Sequence, residues 1–350
     1  MLAYDLAAWL ADPTVEAHLV IRPGPRESIE GITSTRNRLV VALFENVRGA
    51  VYVYDPSDWS RTRLDLPENV TVGVGSSSSL DDRVFVSVAG YLNPQSLWLF
   101  DAATGEGEVV KSLPAKFNAD GLEVRQFEAV STDGTRIPYF VVGRSDMPMD
   151  GSNPTLLYGY GGFQVSMLPG YSAQGVNRQR AHEDFQAVAL DLIDRGITSQ
   201  PHLGIMGGSQ GGLFMGAMLT QRPDLINAAV IQVPLFDMLR FHKLLAGASW
   251  IAEYGNPDIP EERDWIAAYS PYQNLRAGQP YPEVFIHTST KDDRVHPGHA
   301  RKAAARMQEL GYDVLFYENT DGGHAAGANL RETARRLALE YTYLTRRLMD

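Results

Sequence analysis

Cysteine is absent from the whole chain. That excludes disulfides, thiolate metal sites and a cysteine nucleophile, and it fits a reducing compartment. A basic tract is also missing: 31 Lys and Arg face 42 Asp and Glu, a formal charge of −11, so no nucleic-acid partner is expected. No apolar run approaches the roughly 18 residues that span a bilayer, so no membrane association is read. The opening stretch MLAYDLAAWLADPTVEAHLV lacks a basic segment ahead of its apolar residues and meets an acid at Asp5. It is read as no signal peptide, with a cytoplasmic location expected. What remains is a globular profile, 44% apolar and 21% charged over 350 residues, enough chain for two domains.

The two halves follow different patterns. Residues 1–120 read as β-structure. NRLVVALFENVRGAVYVYDP holds two apolar runs joined through Asn46 to Gly49, and DDRVFVSVAGYLNPQSLWLFDAATGE repeats that form. The echo between VYVYDPSDW and LWLFDAATG suggests four-stranded propeller blades, with material for two or three, too few to close a ring of the usual ~4–8. From residue 121 a hairpin, EVRQFEAVSTDGTRIPYFVV, leads into short apolar strands alternating with helices. Those predict a mostly parallel sheet covered on both faces over 121–350.

The segment GIMGGSQGGLFMGAML places Ser209 in Gly207-Gly208-Ser209-Gln210-Gly211, between a predicted strand and a predicted helix. That is the context of a nucleophile elbow, where glycines make room for a tightly turned serine and the following amides point at a developing oxyanion. A glycine-rich turn that merely packs helix on strand reads the same motif equally well. Partners are therefore needed, in the order serine, acid, histidine. TSTKDDRVHP offers Asp292 and Asp293 after one strand, and the residues alone do not separate them. ENTDGGHAAG offers His324 in a glycine-rich loop after the last strand. Both stand at strand C-terminal ends, where open α/β sheets build their sites. His287, inside a strand, reads as a core residue. His296 and His299 could suggest a metal pair, but without a third ligand they read as capping or solvated groups, and no metal or cofactor is inferred. His182 and His242 read as surface or packing histidines.

Five segments in order, YGYGGF, GGSQGG, FHKLLAGASWIAEYG, DDRV and GGHAAG, resemble the prolyl oligopeptidase family of serine peptidases. The resemblance covers the whole chain. It implies an α/β-hydrolase domain preceded by the closing blades of a β-propeller. Ser209 would be the nucleophile, His324 the general base and Asp292 the residue orienting it. The oxyanion would be held by the Gln210 backbone amide, where the family usually carries asparagine, and by the Tyr160 hydroxyl. A proline slot would be lined by Trp250, Phe163, Tyr254 and Val295, with Arg294 bonding a peptide carbonyl upstream. Against the family pattern, the opening blades are missing. One βα unit is also missing, because GYSAQGV runs straight into NRQRAHEDF.

The leading expectation is a serine oligopeptidase that cleaves short peptides after proline through an acyl-enzyme. Two alternatives stand beside it. One is an esterase or an acylaminoacyl- or dipeptidyl-peptidase-like hydrolase, and the other is an impaired remnant acting as a binding module. An open arc of blades also exposes strand edges available for self-association.

Overall fold

The computed structural model describes residues 1–163, 179–324 and 327–349. Among these residues the chain divides into two compact units. One takes in Met1–Phe127 and Phe140–Ser145, the other Glu128–Tyr139 and the chain from Asp146 onward.

The first unit opens with β1 (Leu2–Ala3), helix α1 (Leu6–Ala11) and β2 (His18–Leu19), which pairs with β1. Two antiparallel four-stranded meanders follow. The first is β3 (Glu27–Ser34), β4 (Leu39–Glu45), β5 (Arg48–Tyr54) and β6 (Arg61–Arg63). The second is β7 (Val70–Ser77), β8 (Arg83–Gly90), β9 (Ser96–Asp101) and β10 (Gly107–Ser112). Together they are two blades of a partial β-propeller. Their inner faces share one core in which Val40, Ala42, Val51 and Val53 meet Val70, Val72, Val84 and Val86. These mostly β-branched residues sit at alternate positions along their strands, so that they share one face of the pleated sheet. Asp82 stitches the two blades by accepting hydrogen bonds from the Thr35 hydroxyl at 2.7 Å and the Asn37 amide at 2.8 Å.

A hairpin, β11 (Leu122–Val130) with β12 (Arg136–Arg144), straddles the division between the units. The second unit then builds a five-stranded, all-parallel sheet: β13 (Thr155–Tyr158), β14 (Leu203–Gly208), β15 (Ala228–Gln232), β16 (Val284–Ser289) and β17 (Val314–Asn319), paired in chain order. Helices α2 (Gln179–Asp194), α3 (Gln210–Gln221), α4 (Ile251–Tyr254), α5 (Pro260–Tyr269), α6 (Pro271–Asn274), α7 (Gly298–Glu309) and α8 (Leu330–Leu348) complete it.

Residue parity assigns the two faces. Leu203, Ile205, Ala229, Ile231, Val284 and Ile286 meet Phe185 and Ala189 of α2, Phe214, Met215 and Met218 of α3, and Ala303 and Met307 of α7. Ala228, Val230 and Phe285 point the other way, onto Tyr343, Leu344 and Leu348 of α8. Strands buried on both faces carry continuous apolar runs, which is why AAVIQ and EVFIHTS show no polar alternation. Because each strand pairs with its predecessor in the chain, right-handed crossovers stack α2, α3 and α7 on one face and leave the other to the C-terminal helix.

On the β13 side, pairing of the β11–β12 hairpin with β13 would extend the sheet. Among the described residues β13 pairs with β14 alone. The hairpin is instead tied to α2, where the Ser131 hydroxyl reaches Asp184 at 2.5 Å and the Tyr139 hydroxyl reaches Asp191 at 2.6 Å.

Ile205 is fully buried at the centre of the larger core, whereas Leu330 at the start of α8 is 87% exposed. Ile205→Ala is expected to lower unfolding free energy by about 2–5 kcal/mol in urea titrations. Leu330→Ala should stay within about 0.5 kcal/mol of the parent.

Candidate active site

Three loops at the C-terminal ends of β14, β16 and β17 converge. Ser209 follows β14 directly and caps α3 with φ 60° and ψ −116°, a region L-residues rarely enter. The glycines around it explain how that turn fits. A β-carbon on Gly207 would lie 2.7 Å from the Gly211 carbonyl oxygen and 2.8 Å from that of Gly159, and one on Gly211 would lie 2.7 Å from the Gly159 oxygen. Strand, helix and the neighbouring β13 loop therefore approach at backbone contact, which only hydrogen side chains permit. The Ser209 amide donates to the Gln232 carbonyl of β15 at 2.8 Å, locking the turn onto the sheet.

His324 Nε2 stands 3.0 Å from Ser209 Oγ, and His324 Nδ1 2.8 Å from Asp292 Oδ2. The Asp292 side chain is fully buried, and its other oxygen accepts the Arg294 and Val295 amides at 2.9 Å each. A carboxylate fixed by two amides cannot rotate, so its remaining oxygen presents one face to the imidazole. Asp293, the neighbour left open by the residues alone, is exposed. The His324 loop is anchored in turn by Asn319 at the end of β17. Its Oδ1 accepts the Asp321 and Gly322 amides at 2.8 and 2.9 Å, while the Ser289 hydroxyl of β16 donates to the Gly322 carbonyl. Asn319 was not singled out from the sequence, although Asn-Thr-Asp-Gly-Gly carries an Asx-turn signal.

Tyr160 lies two residues beyond β13, its Cα against the elbow at the place a Gly211 β-carbon would reach. Gln210 heads α3, where the first amides have no intrahelical acceptor. Beside the elbow, Phe163 packs edge-on against Tyr254 at 5.6 Å and Trp250 at 6.5 Å, and all three join the cluster holding Val295. Phe163 also takes a positive φ of 54°, and its amide donates to Glu253 Oε1 at 2.7 Å. Arg294 is exposed next to Asp292. Among the described residues no cluster of three His, Asp or Glu side chains could hold a metal ion.

The other histidines divide by environment. His287 is a buried β16 residue 2.9 Å from the fully buried Glu340, and His182 packs against Phe214 and Tyr269. His242 Nε2 sits 3.1 Å from Asp258. His296 does cap, accepting the Gly298 amide at 2.9 Å. His299 corrects the reading of a solvated or capping group: it is 2% exposed, and its Nδ1 accepts the Phe236 and Asp237 amides at 3.2 and 3.0 Å. The apolar and small side chains that α7 turns inward carry it into the core, which a seven-residue view of its surroundings does not reveal.

This is the constellation and topology of an α/β-hydrolase carrying a serine at its elbow, joined to part of a propeller. Residues 171–350 match the model of the prolyl oligopeptidase family, and residues 6–113 that of the prolyl oligopeptidase N-terminal β-propeller domain. The chain belongs to the prolyl oligopeptidase family. It is 50% identical to an uncharacterized peptidase of Sinorhizobium fredii, over 100% of this chain and 53% of that protein. That alignment runs over 385 positions, more than the 350 residues present, so gaps open within this chain. A prolyl endopeptidase of Elizabethkingia meningoseptica is 31% identical over 80% of this chain and 44% of its own. The solved structure of a post-proline cleaving enzyme from Rickettsia typhi superposes with a TM-score of 0.84 at 33% identity, covering 96% of this chain and 54% of that one. The chain thus spans about half the length of the curated relatives it matches.

Burial pushes the His299 imidazole down to about 4; Lys302 and His296 push the same way, while Asp237 and Asp292 oppose. The unfolded chain takes up a proton near 6.5 that the fold excludes. This group's contribution to stability is therefore intact above that value and is lost as pH falls from about 6.5 toward 4. Between pH 7 and pH 5 the loss through His299 is expected to be about 2 kcal/mol. His299→Asn, which keeps an acceptor without titrating, should remove that part of the slope in urea unfolding at the two pH values.

Proposed function

We propose that the chain is a serine peptidase that cleaves short peptides on the carboxyl side of proline, with Ser209, His324 and Asp292 as its catalytic residues. The observation that carries the proposal is the unbroken hydrogen-bond chain from Ser209 Oγ through His324 to a sealed Asp292. His324 Nε2 takes the hydroxyl proton as Oγ attacks the carbonyl carbon, while Asp292 keeps the imidazole in the tautomer with Nδ1 protonated. The Gln210 amide and the Tyr160 hydroxyl meet the oxyanion, which bears its charge only once the tetrahedral intermediate forms. His324 returns the proton to the departing amine, leaving an acyl-enzyme on Ser209. A water activated by the same base then releases the acid.

The aromatic cluster of Phe163, Trp250 and Tyr254 supports proline as the residue before the cut. A flat ring without an amide hydrogen suits edge-on aromatic walls and asks for no hydrogen bond. Arg294, exposed beside the site, is the group for an upstream peptide carbonyl.

A fluorophosphonate probe is expected to label the chain at Ser209, and Ser209→Ala should abolish labelling and cut turnover by at least about four orders of magnitude. Chromogenic prolyl, alanyl and arginyl substrates separate proline specificity from general esterase or basic-residue cleavage. Absence of labelling in the folded chain would defeat the proposal.

Trp250→Ala removes a wall and leaves the Ser209–His324–Asp292 chain untouched. It is expected to reduce prolyl kcat/KM by about ten- to a hundredfold, equivalent to burying one aromatic contact, with a smaller change in labelling rate. Equal losses in both measurements would make Trp250 a core residue only.

A further inference from the structure

The Gln210 backbone amide has a place in the reaction just described, but its side chain does not, and that side chain is 1% exposed. Its Nε2 donates to the Gly161 carbonyl at 2.9 Å, in the loop that carries Tyr160. Its Oε1 accepts from the hydroxyl of Tyr254, itself fully buried on α4. The aliphatic part of Gln210 fills the space beside Gly162, where a β-carbon would lie 2.8 Å from Cγ. One residue earlier on α4, Glu253 accepts the Phe163 amide of the same loop. Consecutive residues of one helical turn thus grip the 159–163 loop, one directly and one through Gln210.

We propose that the Gln210 side chain is a positioning residue that ties the oxyanion loop to the wall of the aromatic pocket, so that filling the pocket sets the loop for catalysis. Three features make the link effective. Both polar ends of Gln210 are engaged in a dry interior, where hydrogen bonds are strong and an abandoned partner is costly. Tyr254 presents its ring to Phe163 and its hydroxyl to Gln210, so one side chain faces the pocket and the loop together. Gln210 is also the residue after Ser209, so the link passes through the elbow itself. The pocket half of this inference rests on the proline-cleaving reading; the tether between α4 and the loop does not.

The test uses the full chain with two variants that keep volume, Gln210→Met and Tyr254→Phe. Amide hydrogen exchange of the 159–163 segment, read by mass spectrometry, is expected to rise about tenfold in each variant, as loss of one buried hydrogen bond would produce. The double variant should exchange no faster than the faster single, because both act through one link. With prolyl and alanyl substrates, each variant should lower kcat for the prolyl one several-fold, shrinking its advantage over the alanyl one, while KM moves by less than about twofold. Exchange unchanged in Tyr254→Phe would overturn the proposal, even in a chain that cleaves after proline. A change confined to KM would also overturn it, assigning Tyr254 to the pocket wall alone. A parent chain that neither hydrolyses nor takes the probe defeats the proposed function, and exchange then decides the tether by itself.

Discussion

Backbone-to-backbone contact at the elbow is the constraint from which the rest follows. Gly207, Gly211 and the Gly159 carbonyl meet at distances no β-carbon tolerates, and that closeness sets α3 against β14 and the Tyr160 loop against both. The strained turn at Ser209 persists because the sheet on one side and the first turn of α3 on the other over-determine it. Had the strands been further apart, Ser209 would relax toward an ordinary conformation and its hydroxyl would leave the line to His324.

The sheet supplies the rigidity that this arrangement needs. The parallel strands give each loop of the candidate site a fixed origin, and polar side chains inside the domain are placed where they pin those loops. Asn319 folds the His324 loop, two amides immobilise Asp292, and His299 accepts from the segment after β15. Beneath the sheet, Glu340 of α8 joins His287 and Arg336 and accepts from Gln232, whose carbonyl holds the Ser209 amide. Burial pushes the Glu340 carboxyl up, but His287 and Arg336 outweigh it and hold it below its ordinary value. All three partners converge on Glu340 Oε1, and removing any one of them would leave a buried charge less compensated.

The sheet order keeps this arrangement together. The five strands from β13 to β17 keep consecutive order, and Ser209, Asp292 and His324 all come from strands within it. The flank of the sheet is β13, which pairs with β14 alone among the described residues and carries the Tyr160 loop. Gln210, Tyr254 and Glu253 hold that loop from the elbow and from α4.

The linear chain determined a good deal. Runs such as AAVIQ and EVFIHT mark strands buried on both faces, DAATGE and YDPSD mark blade turns, and GGSQGG between a strand and a helix marks the elbow. Each of these is legible because it depends on neighbours within a few residues: periodicity, turn chemistry, or room for a sharp bend. Short helices such as α5 and α6, the fate of the β11–β12 hairpin, the burial of His299 and the anchoring role of Asn319 were not legible. The hairpin and His299 depend on side chains that arrive from far along the chain, whereas the Asn319 turn is local and its importance emerges only once the His324 loop is seen folded around it. Asp292 and Asp293 carry the same chemistry in adjacent positions, and only tertiary structure turned one carboxylate into a sealed partner of His324 and left the other exposed. Burial and hydrogen-bond geometry are properties of the packed chain, so the sequence could nominate groups for the site, and the fold alone decided how they are held.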